Sequence, residues 1–399
     1  MTSPSRSDLS PNRDRGGAFG AFELDPDFLH LNHGSFGAVP RSVRLEQDRW
    51  RARIERNPTG FFQGDLPGAM RGMAGHVARR FGGSGEEWAF CENATSAVNA
   101  VLHSLDLKPD DEIVTTTHAY GAVVKAMTLV AARRGAVLKI AVLPAMLEND
   151  GQVLEAIAAA LRPRTRLLVV DHITSATAAI LPVREIAALA RAADVPLLID
   201  GAHAPGQLAL DVPAIGADWY TGNAHKWLFA PRGCGLLWTA TPWQESTRPP
   251  VLSHGTDQGY TAAFDWVGTR DPSPWLCFET AALVHDGFGG TELMARNNQL
   301  AELGVCELAA RLGAQMAAPA TMRASMAALS LAGQKVSDEI ALEFRRALAE
   351  EHRIMVPVHA FAGRLWVRIS AQVYNVPEDY RRLADACRAL MPRFATNGA

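Results

Sequence analysis

The chain has 399 residues, 48% of them hydrophobic and 20% charged, enough to bury a large core and to divide into more than one domain. A net charge of -3 gives no basic field for nucleic acid or an anionic bilayer, and no apolar run approaches bilayer length, so neither partner is expected. Five scattered cysteines form no C-x-x-C pair and no zinc spacing with histidine, which predicts reduced thiols, a cytoplasmic protein and no metal centre.

In chain order, residues 1–24 begin "MTSPSRSDLSPNRDRGG", polar and rich in Ser, Pro and Arg, with no apolar stretch of a leader peptide; they read as a flexible arm. A large domain is expected over 25–275 and a smaller one over 276–399. From about residue 85 short apolar runs alternate with Ala-rich helical segments. The strand candidates are "EWAFCEN", "DEIVTTT", "VLKIAVL", "TRLLVVDHI", "VPLLIDGA" and "GCGLLWT". Between them lie helix candidates such as "SAVNAVLHSL", "AVVKAMTLVAARR" and "VREIAALARAA". Runs such as "RLLVV" are apolar throughout, as strands covered on both faces should be, so the large domain is read as α/β with a doubly wound, mostly parallel sheet. Past residue 275 come a long helical stretch, strand candidates "RIMVPVHAF" and "GRLWVRIS" and a last helix, the pattern of a smaller α+β domain.

In open α/β sheets ligands bind beyond the carboxyl ends of the strands. Asp200 ends "PLLID" and is followed by a turn holding His203. Thr95 and Ser96 open the helix after "AFCEN", where free backbone N–H groups suit a phosphate. Asp171, His172, Thr174 and Ser175 follow "LLVV", and His118 and Tyr120 follow "DEIVTTT". Lys226 lies in "TGNAHKWLFAP" among aromatic residues. Each has an ordinary explanation taken singly: a cap for Asp200, Thr95 and Ser96, a surface stem on aromatic faces for Lys226. Together they supply what pyridoxal 5'-phosphate (PLP) requires: an amine for its aldehyde, a carboxylate for its ring nitrogen, a flat partner for its ring and donors for its phosphate.

The sequence resembles the class V aminotransferase family of fold-type I PLP enzymes. The resemblance runs from "LNHGSFGAVPRSV" at 31–43 to "RLWVRISAQVYN" at 364–375, with "DGAHAPG", "ADWYTGNAHKWL" and "DWVGTRD" in order between them. It implies that Lys226 carries the internal aldimine, Asp200 pairs with the pyridine nitrogen, and His203 lies near the ring hydroxyl, with Ser175 as a further candidate. It also implies that Tyr120 stacks on the ring, that Thr95, Ser96, Asn223 and His225 hold the phosphate, and that Thr269 reaches the phosphate of a second copy in a homodimer with shared active sites. Arg368 matches the arginine that binds the substrate α-carboxylate, and Asn32 and His33 are expected to face the substrate.

The motif "VPVHAFAGRLWVR" lacks the cysteine that cysteine desulfurases place shortly before that arginine, which argues against that reaction. The opening "LNHGSFG" and the run "GTRD" are more similar to isopenicillin N epimerase-like proteins. The leading expectation is an epimerase or racemase that abstracts a Cα proton through a quinonoid, with Lys226 as one base and His33, His118 or Tyr120 as the second. The alternative is a C-S lyase eliminating from a cysteine-derived substrate, and a third reading is a PLP-binding protein without catalysis. Phe61, Phe62, Tyr260 and Trp266 are candidates for a partly aromatic substrate pocket or for ordinary packing at a subunit interface.

Overall fold

The computed structural model describes residues 16–332 and 336–395. Among them the strands are β1 (Leu29–His30), β2 (Trp88–Cys91), β3 (Glu112–Thr116), β4 (Val137–Ala141), β5 (Thr165–Asp171), β6 (Leu197–Gly201), β7 (Trp219–Asn223), β8 (Gly235–Thr239), β9 (Gln315–Met316), β10 (Met326–Ala332), β11 (Ile354–Met355), β12 (Val358–Phe361) and β13 (Arg364–Ser370). Seven form the central sheet in the order β2-β8-β7-β6-β5-β3-β4. Every pairing is parallel except the two made by β8, so β8 alone runs against the others.

Both faces of this sheet are buried. Along β5, Leu168 and Val170 pack with Phe90, Ile199 and Tyr220 on one side, while Leu167 and Val169 pack with Ala89, Ile113 and Leu198 on the other. Alternate side chains thus enter different cores, which accounts for the uninterrupted apolar runs read from the sequence. The six strand candidates correspond to β2, β3, β4, β5, β6 and β8. Strand β7, "WYTGN", was not among them: its aromatic residues pack inward, but Thr221, Gly222 and Asn223 give it the composition of a turn.

The smaller domain is an antiparallel sheet, β12-β13-β10-β9, against which the helices Thr291–Leu312, Asp338–His352 and Pro377–Ala395 pack. Its core joins Leu300, Val305, Phe344, Val367 and Leu383 with Leu29 and Leu31 from the N-terminal segment. Strand β1 pairs in parallel with β11, far away in sequence. Residues 29–31 therefore belong to the smaller domain's core, although the sequence reading assigned them to the large one. Conversely, Trp275, Phe278 and Ala281, placed at or beyond the expected boundary, pack into the large domain.

The expected arm also ends earlier than residue 24. Residues 1–15 lie outside the described residues, but Gly16–Gly20 is helical and Phe22 is 2% exposed, its ring against Phe229, Phe288 and Tyr374. An apolar ring that finds a pocket anchors a segment whose composition alone suggests none.

Candidate active site

The carboxyl ends of β5, β6 and β7 open into a cavity of about 600 Å³. Asp171, Asp200 and Asn223 come from those strand ends, Asn93, Thr95 and Ser96 from the start of the helix Ala94–Ser104, and Arg368 from β13 of the smaller domain; Ser35, Phe36, Tyr120, Ser175, His203, His225 and Lys226 also line it.

Lys226 stands in the turn after β7 with Nζ 3.2 Å from Nε2 of His203. Burial, and then the Arg368 guanidinium, bring its pKa down to about 7, while the Asp200 and Asp171 carboxylates act in the opposite sense. Near neutral pH much of it is the free, nucleophilic amine. Burial and the Lys226 charge hold His203 well below the usual histidine range, so its ring is neutral beside the amine.

The backbone carrying Lys226 is gripped from behind. His33 donates from Nε2 to the Lys226 carbonyl at 3.0 Å, and its Nδ1 lies 2.9 Å from the Tyr374 hydroxyl. The His33 ring packs 5.1 Å from Trp227 and 5.6 Å from Phe229, and burial lowers its pKa to about 3, so it stays neutral. Phe229 itself is fully buried at a φ of +67°, a conformation that a bulky residue holds only where packing enforces it. Gly37 and Gly206, both at positive φ, lie so close that a Cβ on either would overlap the backbone of His225 or Trp227.

Asp200 and Asp171 are register partners on β6 and β5. Burial raises the Asp200 pKa; donation from the Ala202 N–H at 3.0 Å and the Thr221 hydroxyl at 3.4 Å, with Lys226, draws it back. Burial and the Asp200 charge push Asp171 well above the carboxylate range. Two buried carboxyl groups side by side cannot both be charged unless a cation lies between or beside them.

At the helix N-terminus the Ala94 N–H donates to Asn223 Oδ1 at 2.8 Å and the Ser96 N–H to Asn93 Oδ1 at 2.9 Å. Asn223 is thus a cap as well as part of the wall. His225 is held near pKa 4, mainly by burial and then by Lys226, and its Nδ1 is buried with no partner. Arg368 donates to the Ser175 carbonyl at 2.6 Å and to the Ser35 hydroxyl at 2.8 Å, while its Nε is buried and unpartnered.

The cavity therefore assembles Lys226, Asp200, His203, Thr95, Ser96, Tyr120, Ser175, Asn223, His225 and Arg368. It does not assemble Asn32, His33 or Thr269. His33 is turned toward Tyr374 and the Lys226 carbonyl, and the same short helix presents Ser35 and Phe36 to the cavity in place of the expected pair. His118 is held by Thr177 at 2.8 Å and the Pro144 carbonyl at 2.9 Å, outside the wall. Thr269 is exposed; its neighbour Arg270 pairs with Glu92 and stacks 4.1 Å over Trp275. Phe62 packs edge to face on both Phe61 and Trp266, and Tyr260 hydrogen-bonds Thr239, so these aromatic residues pack outside the cavity wall. Asp171, Asn93, Ser35 and Phe36 are wall residues to which the sequence reading assigned no role. Asp171 carried a visible signal, since "LLVVD" ends as "PLLID" does.

Another groove, about 510 Å³, lies around Arg166, Asp194 and Asp218 near the opposite ends of the strands, and no lysine lines it. Among the described residues no group of His, Cys, Asp or Glu is placed to hold a metal ion, and no helix is long and apolar enough to cross a membrane.

The family model "aminotransferase class-V" matches residues 49–383. The chain is 34% identical over 389 residues to the isopenicillin N epimerase of Streptomyces clavuligerus, covering 94% of this chain and 97% of that protein. It is 33% identical over 399 residues to the putative L-cysteine desulfhydrase 1 of Oryza sativa subsp. japonica, covering 90% and 83%. Among solved structures, the cystine C-S lyase C-DES in complex with its product cysteine persulfide superposes with a TM-score of 0.77 at 21% identity, over 93% of this chain and 98% of that one.

Proposed function

The chain belongs to the class V aminotransferase family, and we propose that this PLP-dependent enzyme is an epimerase or racemase acting at the Cα of an amino acid or amino-acid-derived substrate. The observation that carries the reading is the presence of a partly neutral Lys226 amine and a phenol, Tyr120, in one cavity wall that also holds Arg368. Inversion needs one group to take a proton from Cα and another to return one on the opposite side; elimination needs a single base.

The wall residues fit the cofactor. Asp200 is a buried carboxylate short of a cation, which a protonated ring nitrogen would supply, and the capped helix start with Thr95, Ser96 and the unpartnered Nδ1 of His225 suits a phosphate. When bound, PLP supplies an electron sink for the pair left at Cα. The protein does the rest. Arg368 holds the α-carboxylate through two parallel bonds, the neutral Lys226 Nζ accepts the Cα proton, and the Tyr120 hydroxyl returns one. His203 keeps a neutral ring beside Nζ, so it does not oppose the amine's protonation with a fixed charge. Thr269 serves the phosphate site of a second copy in a homodimer, a role that its exposure and its absence from its own chain's cavity wall support.

A C-S lyase is the second reading, favoured by the similarity to proteins named L-cysteine desulfhydrase. Incubation with candidate amino acids in deuterated water, followed by NMR, separates the two. Deuterium at Cα with loss of optical purity and an intact carbon skeleton is the expected result, and Tyr120→Phe should keep the exchange while losing the inversion. Pyruvate, ammonia and a sulfur product would overturn epimerisation in favour of the lyase.

A further inference from the structure

The cavity does not end at Arg368. A second chamber of about 250 Å³ shares Ser35, Tyr120, Ser175 and Arg368 with it and continues to Arg345, on the helix Asp338–His352, and His359, on β12. Among the described residues every titratable group lining this chamber other than the Tyr120 phenol is a base, and no carboxylate faces it. The hydrogen-bonding capacity of these bases is left over: the His359 Nε2 and Arg368 Nε atoms are buried without a partner. The lining thus presents Arg345 at the exposed rim, a buried imidazole and the Arg368 guanidinium, with no acid of the protein to balance them.

We propose that this chamber is a second anion subsite, so that the substrate is an amino acid whose side chain ends in a further carboxylate. The proposal rests on the reading of the main cavity as the place where the amino group reacts. Arg368 takes the α-carboxylate there, and a side chain of several carbons spans into the chamber, where Arg345 meets the distal carboxylate. Burial and then the Arg368 charge hold His359 near pKa 4, so it serves as a neutral hydrogen-bonding partner and adds no second charge. Cysteine has no distal carboxylate, so the subsite gives it no such gain.

The test is equilibrium binding to the PLP-loaded enzyme, read from the shift of the cofactor's absorption band. Matched pairs of equal chain length are compared: aspartate with 2-aminobutyrate, glutamate with norvaline, and 2-aminoadipate with norleucine. In at least one pair the dicarboxylate should bind about 3- to 10-fold tighter than its neutral partner, with the ratio falling as salt is raised. Arg345→Gln should bring that ratio close to one, and Arg345→Lys should keep most of it. Ratios near one in all three pairs, or a preference that survives Arg345→Gln, would overturn the subsite while leaving the main cavity's reading intact. Absence of any spectral change with all six amino acids would overturn both. Because the shift reports engagement of the substrate amine and not cleavage at Cα or Cβ, the comparison does not depend on whether the enzyme epimerises or eliminates.

Discussion

Lys226 shows how far one side chain can be understood from its surroundings. Burial lowers its pKa to about 7 by disfavouring the ammonium form. Because the free amine is what attacks an aldehyde, uptake of PLP by the cofactor-free protein should accelerate as pH rises through about 7 and then level off, as stopped-flow absorbance would show. A rate independent of pH between 6 and 8 would sink the assignment. The same depressed pKa predicts a stability trend: between about 7 and the ordinary lysine value of 10.5 the unfolded chain holds a proton that the folded one has released, so the folded state gains as pH rises across that window. The place of Asp200 was legible in the sequence because it ends an apolar run beside turn residues, and Lys226 stood out by its aromatic neighbours; the cavity wall includes both. The orientation of His33 was not, because it depends on Tyr374, 341 residues away, which no local pattern encodes.

At the scale of elements, the turn that carries Lys226 is closely held. It is clasped between the positive-φ glycines Gly37 and Gly206, whose missing side chains let two other segments lie against its backbone. Gly206→Ala should cost about 2–4 kcal/mol, since the new Cβ meets both an unfavourable φ and the Trp227 carbonyl. A urea midpoint unchanged from the wild type would refute that estimate, and release of PLP on gel filtration should accompany the loss. At this scale most of the sheet could be read, because strands buried on both faces are apolar throughout. What escaped was β7, where Thr221 donates to Asp200 and Asn223 caps a helix: residues placed for a site look like a turn when read for packing.

At the scale of the molecule the cavity lies where three parts meet. Arg368 of the smaller domain donates to Ser175 of the large one and to Ser35 of the N-terminal segment. Phe36, 68% exposed, and Tyr120, 45% exposed, stand at this cavity with apolar surface turned outward. The proposed homodimer would cover it. Sedimentation at micromolar concentration should give the mass of two chains; a monomer that still turns over would refute the shared-site arrangement. The boundary between domains was misplaced in the sequence reading because composition does not report that Leu29 and Leu31 cross to the smaller core, where their N–H groups bond the carbonyls of Arg353 and Met355 at 2.8 and 2.9 Å. That crossing orders events in time. On the ribosome the central sheet is complete once residue 239 has emerged, but the N-terminal segment has nothing to pair with until β11 is made more than a hundred residues later. The cradle around Lys226 can therefore close only near the end of synthesis, and a chain cut short before β11 would carry the lysine yet never a finished pocket.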